Sequence, residues 1–177
     1  MIGARNSHCC YCGYPFPDGL SWPRTCSACG AVSYANPIPI PIPIPIPIPV
    51  AVVVQPVDDG VLCIRRGIEP GRGMLVLPGG FINLGESWQA AAARELREET
   101  GLEIDSAEIR ALQVLSAPDS TLLVFGIAPA LAASDLPRFR DTPESTGRVV
   151  LTRSEELAFP LHTKVLQEFL EGTMQAL

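Results

Sequence analysis

The sequence predicts an α/β domain preceded by a small cysteine-rich module. Three observations support this prediction: β-branched and apolar runs alternate with helical patterns, one helix carries both a start and a stop signal, and two closely spaced cysteine pairs lie near the N-terminus. At 177 residues, 47% of them hydrophobic, the chain can form one full domain and one accessory module, but not two large cores.

The chain divides by composition into three sections. Residues 1–36 are rich in cysteine, glycine, proline and aromatic residues, residues 37–49 alternate proline with isoleucine, and residues 50–177 carry regular secondary-structure patterns. Proline fixes φ and holds the preceding residue away from helical conformations, which excludes a membrane helix. We therefore expect residues 37–49 to be a stiff linker, with a proline-rich docking site as the alternative.

The third section predicts strands and helices packed around one sheet. Strands are expected at residues 50–55, 61–65, 74–77, 108–115, 121–128 and 148–151, where β-branched and apolar runs lie between turn signals. The strongest helix starts after Ser87, a good N-cap, and ends at Thr100, with Gly101 as its left-handed terminator. A weaker helix is expected over residues 161–171.

Acidic residues concentrate on one side of the stronger helix. At about 100° per residue, Glu95, Glu98 and Glu99 fall within an arc of roughly 100°. Like charges three and four residues apart destabilise a helix, whereas a divalent cation would turn their repulsion into coordination. Mg²⁺ prefers oxygen ligands, commonly one or two carboxylates with phosphate and water. The helix therefore predicts an Mg²⁺ or Mn²⁺ site, with a salt-bridged solvent face as the alternative.

The segment from Gly80 to Leu102 resembles the Nudix box at every fixed position. The box reads G-x5-E-x7-R-E-U-x-E-E-x-G-U, where U is an aliphatic residue. The resemblance implies an α/β/α sandwich with a mixed sheet. It also implies hydrolysis of a pyrophosphate bond in a nucleoside diphosphate linked to another moiety.

The same resemblance assigns expected roles to residues of the box. Glu95, Glu98 and Glu99 are implied to bind Mg²⁺ or Mn²⁺, and one carboxylate would also act as general base. Arg94 is expected to orient Glu98 through an ion pair, with Glu86 joining from the preceding loop. Gly79 and Gly80 are expected to form a turn in which a backbone carbonyl reaches the metal. Bound metal would neutralise the diphosphate oxygens.

Two C-x2-C pairs in the first section predict a structural zinc site. Cys9 and Cys12 form one pair and Cys26 and Cys29 the other, and a glycine follows each pair. Four thiolates complete a closed tetrahedral Zn²⁺ site, and so short a segment has little core of its own. The alternative is two disulfides, which would need an oxidising compartment. We expect neither His8 nor Cys10 to take part, and we expect Cys63 to be a small core residue.

A zinc ribbon before a Nudix domain resembles the subfamily of NADH, FAD and ADP-ribose pyrophosphatases. The NADH type carries S-Q-P-W-P-F-P-x-S after the box, whereas this chain has S-A-P-D-S at residues 116–120. The stretch at residues 143–145 is more similar to the FAD and ADP-ribose type. There Glu144 is either an extra ligand or base, or an exposed loop acid. His162 is expected to lie on the surface.

The net charge of the chain argues against some classes of binding partner. The net charge is -6, so the chain has no basic field that would attract nucleic acid or an anionic membrane. No signal-peptide core is visible, and we expect a cytoplasmic protein that binds a nucleotide-like small molecule. The resemblance also allows a homodimer. The alternative function is a non-catalytic nucleotide-sensing or protein-binding Nudix module, although such a module is free to lose box glutamates and none is lost here.

Overall fold

The computed structural model describes residues 7–9, 11–17, 19–21, 23–33 and 47–174. The chain forms two compact units, Met1–Pro45 and Ile46–Leu177. None of the helices within these described ranges is long and apolar enough to cross a membrane. Residues 37–46 of the Pro-Ile repeat lie outside them, so the linker stays a prediction.

The first unit has a short antiparallel ribbon. Its strands are β1 (Arg24–Thr25) and β2 (Val32–Ser33). The buried apolar cluster of this unit consists of Cys9, Phe16 and Cys26. A cluster of this size cannot offset the entropy cost of ordering the chain, so the unit needs another source of stability.

The second unit contains eight strands and two α-helices within the described residues. The strands are β3 (Ile48–Val54), β4 (Pro56–Val57), β5 (Gly60–Arg66), β6 (Leu75–Val76), β7 (Gly79–Phe81), β8 (Arg110–Ser116), β9 (Thr121–Ile127) and β10 (Ser145–Leu151). The helices are α1 (Trp88–Thr100) and α2 (Pro160–Leu170), and two short 3-10 turns lie at Ser106–Glu108 and Ala133–Asp135.

The strands form two sheets, so the expectation of one sheet is wrong. A mixed sheet has the order β7-β3-β9-β8, with β3 parallel to β9 and the other neighbours antiparallel. A second, antiparallel sheet has β5 between β10 and β4, and β6 also pairs with β5. The strand run breaks at Gln55, and Pro56, which has no N–H to extend the ladder of β3, begins β4 in the second sheet.

Both faces of β3 are buried, which makes it the centre of the sandwich. Val52 and Val54 face one core cluster, which includes Val165 and Leu166 of α2. Ala51 and Val53 face the other cluster, together with the apolar side of α1, formed by Ala91, Ala92 and Leu96. Burying each of the larger aliphatic side chains contributes about 1.5–3 kcal/mol, so α1 is firmly fixed against the sheet. The predicted α/β/α sandwich with a mixed sheet is confirmed.

The helix signals in the sequence are confirmed. The Ser87 hydroxyl accepts a hydrogen bond from the Ala90 N–H at 3.1 Å, and Gly101 ends α1 with φ of 78° and an N–H bonded to the Arg97 carbonyl. The second helix begins at Pro160, one residue before the expected start. Proline suits this position because the first N–H of a helix has no partner in the helix.

The start of β3 and the presence of β7 differ from expectation for physical reasons. Strand β3 begins at Ile48, inside the repeat, because the Ile48 N–H donates to the Ser120 carbonyl at 2.9 Å. Pro49 lacks a donor, but its carbonyl accepts from the Ile82 N–H at 3.1 Å. Strand β7 was not expected, since Gly79 and Gly80 have no β propensity of their own.

Candidate functional site

Glu99 is the most buried carboxylate of α1. Its side chain is 8% exposed, and its Oε2 accepts a hydrogen bond from the Gly79 N–H at 2.9 Å. Burial is the main cause that raises the pKa of Glu99, to about 8. The hydrogen bond from the Gly79 N–H opposes that shift, and the negative charge on Glu95 adds to it. The carboxylate is therefore anchored to β7 at one oxygen in a strongly desolvated position.

The two glycines of β7 allow α1 to approach the sheet. A side chain at Gly79 would collide with the Ala51 carbonyl oxygen, and one at Gly80 would collide with the Glu95 carboxylate. The expected turn at Gly79 and Gly80 is wrong, because both residues pair with β3 as part of a strand. A metal contact from the Gly80 carbonyl stays a prediction.

Arg94 holds three of the box glutamates. Its guanidinium donates to both oxygens of Glu86, at 2.9 and 3.1 Å, and to Glu95 at 2.6 Å. It also donates to Glu98 at 3.2 Å and to the Phe81 carbonyl at 3.0 Å. The hydrogen bonds from Arg94 lower the pKa of Glu86. The strongest partner of Arg94 is thus Glu86, while the expected pair with Glu98 is the longest of its contacts.

The box carboxylates share one region without forming a compact ligand set. Glu98 and Glu99 line an open cleft of about 290 Å³. Burial raises the pKa of Glu95, Arg94 opposes this effect, and the charge on Glu98 adds to it. Within the described part of the chain, the one group of three or more ligand atoms close enough to share an ion is that of the four cysteines.

Glu144 lies on the same cleft as Glu98 and Glu99. It stands on the turn before β10, with Thr142 and Pro143 also lining the cleft. Its side chain is exposed, yet its charge contributes to the raised pKa of both Glu95 and Glu99. Glu144 is therefore an exposed loop acid beside the carboxylate helix, and its role as an extra ligand or base stays a prediction.

Arg66 is a neighbour of the site that sequence reasoning missed. The main cause of the raised pKa of Glu99 is burial, and the positive charge of Arg66 acts against it. The Arg66 guanidinium lies 5.0 Å from the centre of the Phe159 ring, and its Nε donates to the Pro70 carbonyl at 2.7 Å. The box does not include this residue, which directly follows the strand predicted over residues 61–65, and that position carries no functional signal.

The expected surface position of His162 is wrong. Its side chain is 6% exposed, with ring centres 5.6 Å from Phe125 and 5.2 Å from Phe159. Burial, with a smaller contribution from the positive charge of Arg66, lowers the pKa of His162 to about 3. The first turn of α2 packs against β9, and this tertiary contact buries a residue whose type alone suggests exposure.

The four cysteines of the two C-x2-C pairs lie together. The Sγ atoms of Cys9 and Cys29 are 3.7 Å apart, those of Cys12 and Cys26 are 3.6 Å apart, and all four lie within 4.8 Å of one another. These four cysteines are free thiols, since a disulfide requires about 2.05 Å. The cluster is compatible with a zinc ribbon.

Equivalent backbone turns position the two cysteine pairs. The Gly13 N–H donates to the Cys9 carbonyl and the Gly30 N–H donates to the Cys26 carbonyl, each at 2.9 Å. Both glycines have positive φ, 74° and 73°, which glycine adopts without strain. Backbone N–H groups of Cys12 and then Tyr11 lower the pKa of Cys9 to about 6. Two such turns present thiols to a common centre.

Cys63 and His8 are not part of this cluster. His8 forms a hydrogen bond with the Ser7 hydroxyl at 2.8 Å and is not one of the four clustered residues. Cys63 is fully buried in β5, which confirms it as a core residue. Cys10 lies outside the described residues.

The NUDIX domain model matches residues 46–161 of the chain. The chain belongs to the Nudix family. Among solved structures, a Nudix hydrolase from Nitrosomonas europaea aligns with a TM-score of 0.63 and 26% identity, covering 93% of this chain and 90% of that one. A MutT/Nudix family protein from Enterococcus faecalis aligns with a TM-score of 0.54 and 26% identity, covering 62% of this chain and 45% of that one.

Two kinds of curated relative match part of the chain. An ADP-ribose pyrophosphatase from Methanocaldococcus jannaschii is 47% identical over 45 residues, which are 25% of this chain and 27% of the relative. An NAD-capped RNA hydrolase, NudC, from Salmonella heidelberg is 28% identical over 118 residues, 66% of this chain and 42% of the relative. The chain thus spans less than half the length of these relatives.

Proposed function

We propose that this chain is a pyrophosphohydrolase that uses Mg²⁺ or Mn²⁺. Its substrate is a nucleoside diphosphate linked to a second moiety, as in ADP-ribose, FAD or NADH. The observation that carries the proposal is the complete Nudix box on α1, with Glu98 and Glu99 facing one cleft and Glu95 next to Gly80.

The donor set of this cleft fits a hard divalent cation. Its potential ligands are carboxylate oxygens, which Mg²⁺ and Mn²⁺ prefer. Glu99 is buried beside the negative charges of Glu95 and Glu144, and burying like charges together is costly unless a cation compensates. Gly80 leaves space beside the Glu95 carboxylate that any side chain would fill. Glu95, Glu98 and Glu99 would hold the ion.

When bound, such an ion would neutralise charge on the diphosphate oxygens and make water a better nucleophile. The protein's part is to orient the carboxylates and to accept a proton. Arg94, anchored by Glu86, holds one oxygen of Glu95 and one of Glu98. A carboxylate at the cleft, with Glu144 as one candidate, takes a proton from the attacking water while the water oxygen forms a bond to phosphorus. The P–O bond to the bridging oxygen breaks, and that oxygen leaves with the other phosphate.

The names of the relatives support the proposed substrate class. ADP-ribose and the NAD cap each contain an adenosine diphosphate group joined through its second phosphate to another ribose. A hydrolase of either compound must place the same pyrophosphate beside its metal site. The expectation that nucleic acid is not a partner was drawn from net charge, and it needs testing with capped RNA.

The first unit is proposed to bind structural zinc through Cys9, Cys12, Cys26 and Cys29. With Zn–S bonds of about 2.3 Å, a tetrahedral site has S–S edges of about 3.8 Å. The observed separations of 3.6 and 3.7 Å match this value. Four ligands leave no open position, so the zinc would stabilise the fold and take no part in chemistry. On this basis we infer a zinc ribbon over residues 1–36 and a Nudix domain over residues 50–177 that also takes in Ile48 and Pro49 through β3, so the proposed linker is the part of the repeat before them.

A substrate panel tests the proposal. ADP-ribose, FAD, NADH, diadenosine polyphosphates, nucleoside triphosphates and an NAD-capped RNA oligonucleotide are each incubated with Mg²⁺ or Mn²⁺ and scored for release of phosphate or mononucleotide. We expect turnover of at least one dinucleotide-type substrate, abolished by EDTA. Binding without turnover for every compound would reject the enzyme and favour the alternative, a nucleotide-sensing Nudix module.

A further inference from the structure

Gly67 is in direct contact with the turn that carries Glu144. It follows the last residue of β5, and its N–H donates to the Glu144 carbonyl at 2.7 Å. A side chain at Gly67 would collide with the Pro143 carbonyl oxygen and would lie 3.2 Å from the Glu144 carbonyl carbon. The two backbones can approach this closely only because Gly67 has no Cβ.

The turn itself is held by two internal hydrogen bonds. The Thr142 N–H donates to the Ser145 carbonyl at 2.8 Å, and the Ser145 N–H donates to the Thr142 hydroxyl at 2.9 Å. Ser145 is buried and pairs with Arg66 of β5. A turn closed in this way moves as one piece, so its position depends on where it touches β5.

We propose that Gly67 is a positioning residue that sets the distance of Glu144 from Glu98 and Glu99 across the cleft. The inference rests on the proposed function, in which Glu144 acts as an extra ligand or base. Any larger residue at position 67 would push the 142–145 turn away from β5. Because the turn is closed, Glu144 would move with it.

Alanine at position 67 isolates this effect. Gly67 is not one of the glycines with positive φ, so its backbone conformation is open to alanine. The close contacts of the new Cβ with the Pro143 and Glu144 carbonyl groups are then the main local consequence of the substitution. Displacing a catalytic group by about 1 Å can reduce turnover by up to ~10²-fold.

The test is a double-mutant cycle between positions 67 and 144. Wild type, Gly67→Ala, Glu144→Gln and the double variant are assayed with ADP-ribose, or with the best substrate of the panel, and Mn²⁺ affinity is measured in parallel by electron paramagnetic resonance. We expect Glu144→Gln to lose about 10²-fold in kcat and Gly67→Ala about tenfold. In the Glu144→Gln background, Gly67→Ala should change kcat by less than about twofold, because the displaced group no longer acts.

Gly60→Ala is the matched control. Gly60 opens the same strand, and its side chain would meet the Leu151 carbonyl oxygen of β10 at 2.7 Å, far from the turn. It should lower thermal stability while leaving kcat within about threefold of wild type. If Gly67→Ala does not fold, Thr142→Val removes the hydroxyl that binds the Ser145 N–H and tests the same displacement more gently.

The outcomes separate the two hypotheses. Two results would reject the positioning role of Gly67 without affecting the role of Glu144. One is an equal loss of kcat from Gly67→Ala in both backgrounds, and the other is wild-type kcat and Mn²⁺ affinity in Gly67→Ala. Wild-type turnover in Glu144→Gln would remove the role of Glu144, and with it that of Gly67, while leaving the hydrolase intact. Absence of turnover in wild type would reject the proposed function itself.

Discussion

Arg94 and Glu86 form a two-pronged ion pair, with Nε bonded to one carboxylate oxygen at 2.9 Å and Nη2 to the other at 3.1 Å. The pair joins the loop before α1 to the second turn of the helix. The Arg94 side chain is 22% exposed and that of Glu86 is 16% exposed, so solvent screens the pair only partly. The remaining donors of Arg94 are thereby aimed at Glu95 and Glu98.

Arg94→Lys should weaken both fold and activity. A lysine ammonium is a point charge that cannot bind both Glu86 oxygens and also reach Glu95 and the Phe81 carbonyl. We expect a loss of about 1–2 kcal/mol in the free energy of unfolding and at least a tenfold lower kcat with little change in KM. Arg97→Lys, on the exposed side of the same helix, is the control. Equal losses of stability and kcat in Arg97→Lys would show that the two-pronged ion pair of Arg94 with Glu86 is unimportant.

Glu98→Gln should abolish most turnover and leave the fold intact. The Glu98 side chain is 51% exposed and pairs weakly with Arg94, so loss of its charge should not reduce stability. Because Glu98 is a proposed metal ligand, removal of its negative charge should lower kcat by several orders of magnitude. Glu99→Gln should have a similar effect on kcat. The control Glu103→Gln removes an exposed charge just beyond α1, and near-normal turnover in Glu98→Gln would show that the site is wrongly assigned.

Cys26→Ser should release zinc and unfold the first unit. Cys26 is 1% exposed at the centre of the small apolar cluster, where metal binding must supply the missing stability. Turnover at α1 should remain measurable if the two units are energetically separable. Elemental analysis of reductant-treated protein gives the zinc content, with Cys63→Ala as a control that keeps zinc. Zinc-free wild type would contradict the assignment.

His162 should make stability fall in mild acid. Its pKa is about 3 in the fold and about 6.5 when unfolded, so between these values the unfolded state binds more protons. Stability is therefore full above pH 6.5 and declines as pH falls towards 3. Relative to His162→Leu, which does not titrate there, wild type should lose ~2 kcal/mol between pH 7 and pH 5 in urea unfolding. Parallel pH profiles would mean that His162 is exposed to solvent.

Local signals explain which parts of the fold were predictable. Ser87 and Gly101 act through hydrogen bonds within a few residues, so the limits of α1 could be read from the sequence. Strand β7 could not, because Gly79 and Gly80 enter the sheet by pairing with Val52 and Ala51 of β3, which are distant in sequence. The same holds for His162, whose burial depends on how α2 meets β9.

The predicted site was likewise readable only in part. The box identified Glu86, Arg94, Glu95, Glu98 and Glu99, and the structure places all five along the β7–α1 contact, with Glu99 at Gly79 and Arg94 at Phe81. Which glutamate Arg94 binds most closely depends on side-chain geometry that a motif does not encode. Arg66 and Gly67 act through tertiary contacts with Glu99 and Glu144, so spacing along the chain gave no sign of them.

The repeat at residues 37–49 gives a prediction that separates linker from fold. Ile48 and Pro49 belong to β3, with the Ile48 N–H paired to Ser120, so the linker hypothesis applies to the pairs before them. An extended segment of this kind spans about 3.1 Å per residue. Deleting residues 38–45, four isoleucine-proline pairs, would therefore shorten the reach by ~25 Å. This stretch contains only isoleucine and proline, so it offers no Cys, His, Asp or Glu side chain as a ligand for either proposed metal site.

We therefore expect the deletion to keep zinc content at wild-type level and kcat and KM within about threefold. Ile48→Pro is the control inside β3, since it removes the N–H that pairs with Ser120 along with a half-exposed side chain, and it should cost about 1 kcal/mol or more in the free energy of unfolding. Metal analysis, steady-state kinetics and thermal unfolding compare the two variants. If the deletion instead yields insoluble or inactive protein, residues 38–45 pack as part of the fold, and the linker hypothesis is wrong.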